Sequence, residues 1–215
     1  HRDLHSFPNT TLFRSARLRE VARALADAGL TQVLSYPFIG DVHDLLEIPQ
    51  GDERRQAVRL ANPLAEDAPW LRTCVLDSLV EAARRNVSRG LSDVAVFEVG
   101  SVTRPGGTVP AAIPGVERRP TDEEIEALEA GIPAQPTHVA AVLAGERERS
   151  GVLGQGRAWD WADALEVVRT VAAVLGLSLE AAAPPQPYAP WHPGRTAELR
   201  LPTWQIGRAS CRERV

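Results

Sequence analysis

The 215-residue chain contains no methionine and no lysine, so its 24 basic residues are all arginine. Without lysine there can be no Walker-type phosphate-binding lysine and no Schiff-base lysine. Without methionine there is no initiator residue, which predicts a piece of a longer protein. The preference for Arg, Ala, Gly and Pro is that of GC-rich coding. Only Cys74 and Cys211 are present, too few for a disulfide-stapled scaffold. Aromatic residues make up 5% of the chain. No apolar run approaches the roughly 20 residues that a membrane-spanning helix needs. The 24 basic residues are set against 28 acidic ones, so the positive surplus of a nonspecific nucleic-acid binder is missing. What is present, 44% hydrophobic and 24% charged residues, is globular composition sufficient for one large or two small domains.

The two ends read differently from the middle. Residues 205–215, QIGRASCRERV, resemble the translation of a common sequencing-library adapter, and SFPNTTLFRS at 6–15 resembles the same adapter read on the other strand. The expectation is therefore that 1–15 and 205–215 are adapter-derived and that 16–204 is the biological domain. On that division the middle carries 19 basic and 26 acidic residues. It keeps Cys74 as its one cysteine, which suits a reducing cytoplasm.

Periodicity predicts a helix over 17–28, with Leu18, Val21, Leu25 and Ala28 on one face and Gly29 ending it. QVLSYPFI (32–39) reads as a strand in which Pro37 demands an edge or an end. A polar loop with a short helix follows at 40–57, then a strand at 58–64 and a helix at 75–89 with Leu76, Leu79, Val80 and Ala83 inward and Gly90 at its end. DVAVFEVGSV (93–102) is the clearest strand, and 104–120 reads as loop. Thr121 and Glu124 make a capping box for a short acidic helix over 122–130. A buried strand is expected at 139–145. The longest helix is expected at 160–175, with Trp161, Leu165, Val168, Val171 and Leu175 inward, and strands at 177–182 and 196–201 complete the order. That order predicts an α/β (α+β) domain with a mostly antiparallel sheet flanked by helices.

Local chemistry is sparse. His43, His138 and His192 lack metal-ligand spacing, so no metal site is expected. Cys74 has no neighbouring base and reads as a small buried residue at a helix start. Gly151, Gly154 and Gly156 depart from phosphate-loop spacing and read as a flexible loop. Arg84, Arg85 and Arg89 fall where they complement the dipole at a helix C-terminus. Asp160, between Trp159 and Trp161, reads as a helix cap beside a core anchor.

A longer ordered set stands above these. AGLTQVLSYPF, LANPLAEDAPWLRTCVLDSLVEAARRN, FEVGSV and WHPGRTAEL together resemble the class II synthetase-like domain of the β subunit of bacterial phenylalanyl-tRNA synthetases, over essentially all of 16–204. The resemblance implies a class II aminoacyl-tRNA synthetase-like fold. It also implies partnership with a catalytic α subunit, contact with tRNA through the whole assembly, no membrane, and a cytoplasmic location. ATP and magnesium would serve the whole assembly, with no cofactor bound by this fragment.

In class II aminoacyl-tRNA synthetases an arginine just past a strand meets ATP, its guanidinium matching phosphate oxygens bidentately. Arg72 and Arg104 are the weak candidates here. Arg104 is followed by Pro105-Gly106-Gly107 where an active copy continues into Arg-x-Glu, and no glycine-rich strand–helix ending in arginine is present. The expectation is a catalytically silent domain with no catalytic residue. Helix 17–28 and strand 32–39 fall where class II proteins build subunit interfaces, which makes Leu18, Val21, Leu25, Val33 and Phe38 candidates for core or interface burial. The alternatives are an active ATP-binding ligase domain using Arg72 or Arg104, and a stand-alone binding module on the same fold. Re-reading the gene across both ends is expected to find an open frame continuing upstream of Ala16 and downstream of Trp204. A start and stop at those points would favour the stand-alone module.

Overall fold

A computed structural model describes residues 7–41, 43, 44, 46–104, 106, 114–152, 154–186, 188–201 and 205–210, with 7–15 and 205–210 described as backbone. Its helices are α1 (Phe7–Asp27), α2 (Val75–Ser88), α3 (Asp122–Ala130) and α4 (Trp161–Leu175). Its strands are β1 (Thr31–Gln32), β2 (Phe38–Ile39), β3 (Trp70–Leu71), β4 (Val94–Ser101), β5 (Thr137–Ala144), β6 (Glu146–Glu148), β7 (Arg157–Ala158), β8 (Glu180–Ala182), β9 (Thr196–Arg200) and β10 (Gln205–Ser210). The chain divides into two compact units. One comprises residues 1–35, 79–99 and 139–215; the other comprises 36–78 and 100–138. Among the described residues no helix is long and apolar enough to cross a membrane.

The first unit is organised around a β1-β4-β5 sheet covered on both faces. Successive strand residues point to opposite sides. On one face Phe97, flanked by Ala95 and Val99 of β4 and by Ala141 and Leu143 of β5, packs with Val21 and Leu25 of α1 and Val167, Val171 and Leu175 of α4. On the other face Val94, Val96, Ala140, Val142 and Ala144 meet Leu79 and Ala83 of α2. This two-sided burial is why DVAVFEVG is nearly continuous in apolar residues rather than alternating. The second side of α4 places Leu165 and Val168 against Leu199 and Ala197 of the β10-β9-β8 sheet. The registered strand pairs are antiparallel except β1 with β4. The expected mixed architecture is thus present, though as several small sheets rather than one.

Helix ends follow the sequence signals. Gly29 (φ 91°) and Gly90 (φ 92°) lie in left-handed backbone that a side chain would strain. There Leu30 N–H donates to the Leu25 carbonyl at 3.1 Å and Leu91 N–H to that of Asn86 at 3.1 Å, closing α1 and α2 in the Schellman pattern. The Thr121–Glu124 capping box forms at α3. Asp160 caps α4 by accepting from Ala162 and Asp163 N–H. Asp163, itself buried, returns the bond to Asp160 N–H at 3.0 Å and pairs with the guanidinium groups of Arg147 and Arg157. Hydrogen bonding from Arg157 first, then the Asp160 amide and Arg147, holds its carboxyl well below the usual range despite burial.

Several expectations are corrected. α1 begins at Phe7 rather than at 17, and Ala28 is exposed. The strand expected over 32–39 is split into β1 and β2, because the chain leaves the first unit after Ser35 and Pro37 has no amide to extend a ladder. The strand expected over 58–64 reduces to one bridge, Arg59 with Trp70, supported by Leu60 N–H to Pro69 O at 2.8 Å and Leu71 N–H to Val58 O at 2.9 Å. Trp161 is 62% exposed rather than inward, since the first residue of α4 lies beyond the packed turns. Of the loop expected over 104–120, residues 105 and 107–113 lie outside the described residues. Asp160→Ala is expected to lower unfolding stability by about 1 kcal/mol through loss of the cap. Asp163→Ala should cost more, because it also strips two guanidiniums of their partner. Urea unfolding of both variants would reveal the reverse order if the cap alone mattered.

Candidate functional site

Arg72 follows β3 in the second unit, and its backbone is held on both sides. Its N–H donates to the Pro37 carbonyl at 2.8 Å, and its own carbonyl accepts from Thr103 N–H at 2.9 Å. The side chain is 3% exposed. Nε donates to the Ser101 carbonyl at 3.0 Å and Nη1 to Ser78 Oγ at 2.5 Å. A guanidinium has a fixed fork of donors and no acceptor capacity, so these bonds aim it at the end of β4 and the start of α2. It ties three segments of the unit together.

Around it lies a buried polar cluster. Thr73 Oγ1 donates to the Arg54 carbonyl at 2.8 Å. Asp77, the third residue of α2 and 1% exposed, accepts from Cys74 N–H through Oδ2 at 3.3 Å, while its buried Oδ1 has no hydrogen-bond partner. Burial pushes the Asp77 carboxyl up to about 6, against the Cys74 amide and the attraction of Arg54 and Arg72. Burial, reinforced by the Asp77 charge, pushes the Cys74 thiol up to about 11, so a nucleophilic thiolate is not available at neutral pH. Asp77 was not singled out by sequence reasoning, because it falls off the apolar stripe of α2. The one signal was an acidic residue in a helix's first turn.

Arg104 is exposed, its N–H bonded to the Ala134 carbonyl at 2.9 Å. It stands near His138, whose imidazole is held below its ordinary value by burial and then by the Arg104 charge. The two candidate arginines therefore occupy unlike environments, one committed inside the unit and one open to solvent. The five candidate interface residues also divide. Val21 (2% exposed) and Leu25 (0%) belong to the core of the first unit. Val33 packs beside the Leu79–Val96 cluster, and Leu18 is half-buried. Phe38 is half-buried in the second unit, parallel to the exposed Tyr36 at 6.4 Å between ring centres.

A cavity of about 430 Å³ in the second unit is lined by His43, Gln50, Asp52, Arg55, Gln56 and Trp70 among others. Two of its charged residues are paired: Asp52 with Arg54 at 2.6 Å, and Arg55 with Asp44 at 2.5 Å and the Ile48 carbonyl at 2.7 Å. Among the described residues no three His, Cys, Asp or Glu side chains are grouped as a cation-binding cluster. Arg72→Ala is expected to destabilise the chain by about 2–3 kcal/mol by removing a buried guanidinium and its bonds to the Ser101 carbonyl and Ser78 Oγ. Arg104→Ala should change stability by no more than about 0.5 kcal/mol. Equal losses in thermal unfolding would contradict this division.

The model of the family described as "Phenylalanyl tRNA synthetase beta chain CLM domain" matches residues 8–210. The phenylalanine–tRNA ligase beta subunit of Thermobifida fusca is 50% identical over 196 residues, which cover 89% of this chain and 23% of that protein. That of Mycobacterium leprae is 45% identical over 198 residues, 90% of this chain and 23% of its own length. The chain thus spans about a quarter of these relatives. Among solved structures, pyrrolysyl-tRNA synthetase from Desulfitobacterium hafniense shares the fold at a TM-score of 0.53 and 14% identity, over 89% of this chain and 56% of that one. With nearly every residue from α1 to β10 inside the matched range, the chain belongs to the family of phenylalanyl-tRNA synthetase beta chain CLM domains.

Proposed function

We propose that this domain is a catalytically silent copy of the class II synthetase fold within the β subunit of a phenylalanine–tRNA ligase, where it scaffolds the catalytic α subunit. The observation that carries this reading is the burial of Arg72, whose guanidinium is committed to Ser101 and Ser78. An arginine that clamps ATP must present its fork to phosphate oxygens, and this one faces inward. Arg104 is open to solvent but is followed by Pro105 rather than by the x-Glu that completes the motif. In this reading the whole cytoplasmic assembly attaches phenylalanine to its tRNA with ATP and magnesium, and the present domain contributes support. Leu18 and Phe38, half-buried, are the residues of the interface set most suited to meet a partner, because Val21 and Leu25 are spent on the core.

Co-expression with the α subunit of a related enzyme tests the scaffold role. The tagged α subunit is expected to retain this chain, and Leu18→Asp or Phe38→Asp should weaken retention at least tenfold while circular dichroism stays unchanged. A folded chain that is not retained would overturn the proposal. Calorimetric titration with ATP is expected to show no micromolar binding. Micromolar binding abolished by Arg104→Ala would establish an active nucleotide site instead.

A further inference from the structure

We infer that the first turn of α2 is a proton-operated latch, closed when Asp77 is protonated and loosened when it ionises. The geometry is that of a carboxyl group sealed inside the second unit: Asp77 is 1% exposed, with one oxygen on the Cys74 amide at 3.3 Å and the other without a partner. A buried charge with an unsatisfied lone pair is costly, whereas the neutral acid removes that cost. The charged and titratable groups facing it are Arg54 from the short helix Glu53–Arg55, Arg72 beyond β3, and Cys74 at the helix start. The two guanidiniums favour the ionised form but do not offset burial, and the carboxyl group rests at about 6 against an ordinary 3.8. The Cys74 thiol, at about 11, stays neutral throughout.

The sign follows from linkage. A carboxyl group raised on folding contributes its full stability below the ordinary value and loses it as pH rises through about 6. Opening the turn hydrates the carboxylate, so opening becomes about tenfold more favourable per pH unit between about 4 and 6 and levels off above, where the carboxyl is ionised in both states. His43 and His138 act in the opposite sense. Both are held below their ordinary value, so their contribution grows as pH rises. A loss of protection with rising pH therefore separates Asp77 from the histidines of the same unit. Because Ser78 Oγ accepts from Arg72, unlatching the turn also frees one bond of the buried guanidinium.

Hydrogen exchange on the whole chain between about pH 4 and 7 tests the latch, read as protection factors so that intrinsic exchange is divided out. The informative amides are those of Leu79 and Val80, whose helical acceptors are the carbonyls of Val75 and Leu76. Their protection is expected to fall about tenfold per pH unit between about 4 and 6 and to level off above, while Arg85, further along α2, holds its protection. Asp77→Asn should flatten the profile at Leu79 and Val80. A flat wild-type profile, a parallel fall at Arg85, or an unchanged slope in Asp77→Asn would each overturn the inference. Should the variant fail to fold, the contrast between Leu79 and Arg85 in the native chain still decides.

Discussion

The first unit depends on β4 being buried on both faces. Phe97 at 0% exposure anchors α1 and α4 on one side, and Val94 and Val96 hold α2 on the other. A strand covered twice must be apolar at odd and even positions alike, and its backbone must be fully paired because no water reaches it. β1 pairs with Val96 and Phe97 on one edge of β4 and β5 lies along the other, and the helices close over the two surfaces. α4 extends the arrangement by using its second side on β8 and β9, so one helix serves two sheets.

The second unit adds a buried polar network to its buried Ile39, Ile48, Val75 and Val102. Its strands β2 and β3 have two residues each, too short to hold a ladder by themselves. Arg72 compensates: its backbone joins Pro37 and Thr103, and its guanidinium joins Ser101 and Ser78. A residue employed in this way is lost to ligand chemistry. Asp77 carries the other side of the arrangement, a carboxyl group left with a vacant lone pair close to two guanidiniums.

Much of the element order was legible in the chain because local rules agree with one another. Gly29, Gly90 and Gly176 mark the ends of α1, α2 and α4, and Thr121 and Asp160 mark the starts of α3 and α4. Errors fell where a local pattern competed with long-range pairing. The run from Gln32 to Ile39 has the composition of one strand, but its two ends pair with different partners, β4 and β3. Residues 58–64 look like a strand but have a single bridge to satisfy them. Trp161 fits the helical period, but a period says which face a residue shares and not how far along the helix the packing extends.

The sequence by itself determined the class of the domain, the helix boundaries signalled by glycine and capping residues, and the absence of any lysine-based chemistry within this chain. Those follow from backbone stereochemistry and from which side chains exist at all. Only the tertiary structure decided which of Arg72 and Arg104 faces water, which of Leu18, Val21, Leu25, Val33 and Phe38 is spent on the core, and that Asp77 is sealed without a full set of partners. The physical reason is that burial and hydrogen-bond satisfaction are set by residues distant in the chain, such as Ser101 for Arg72 and Phe97 for Leu25, and no local window contains them.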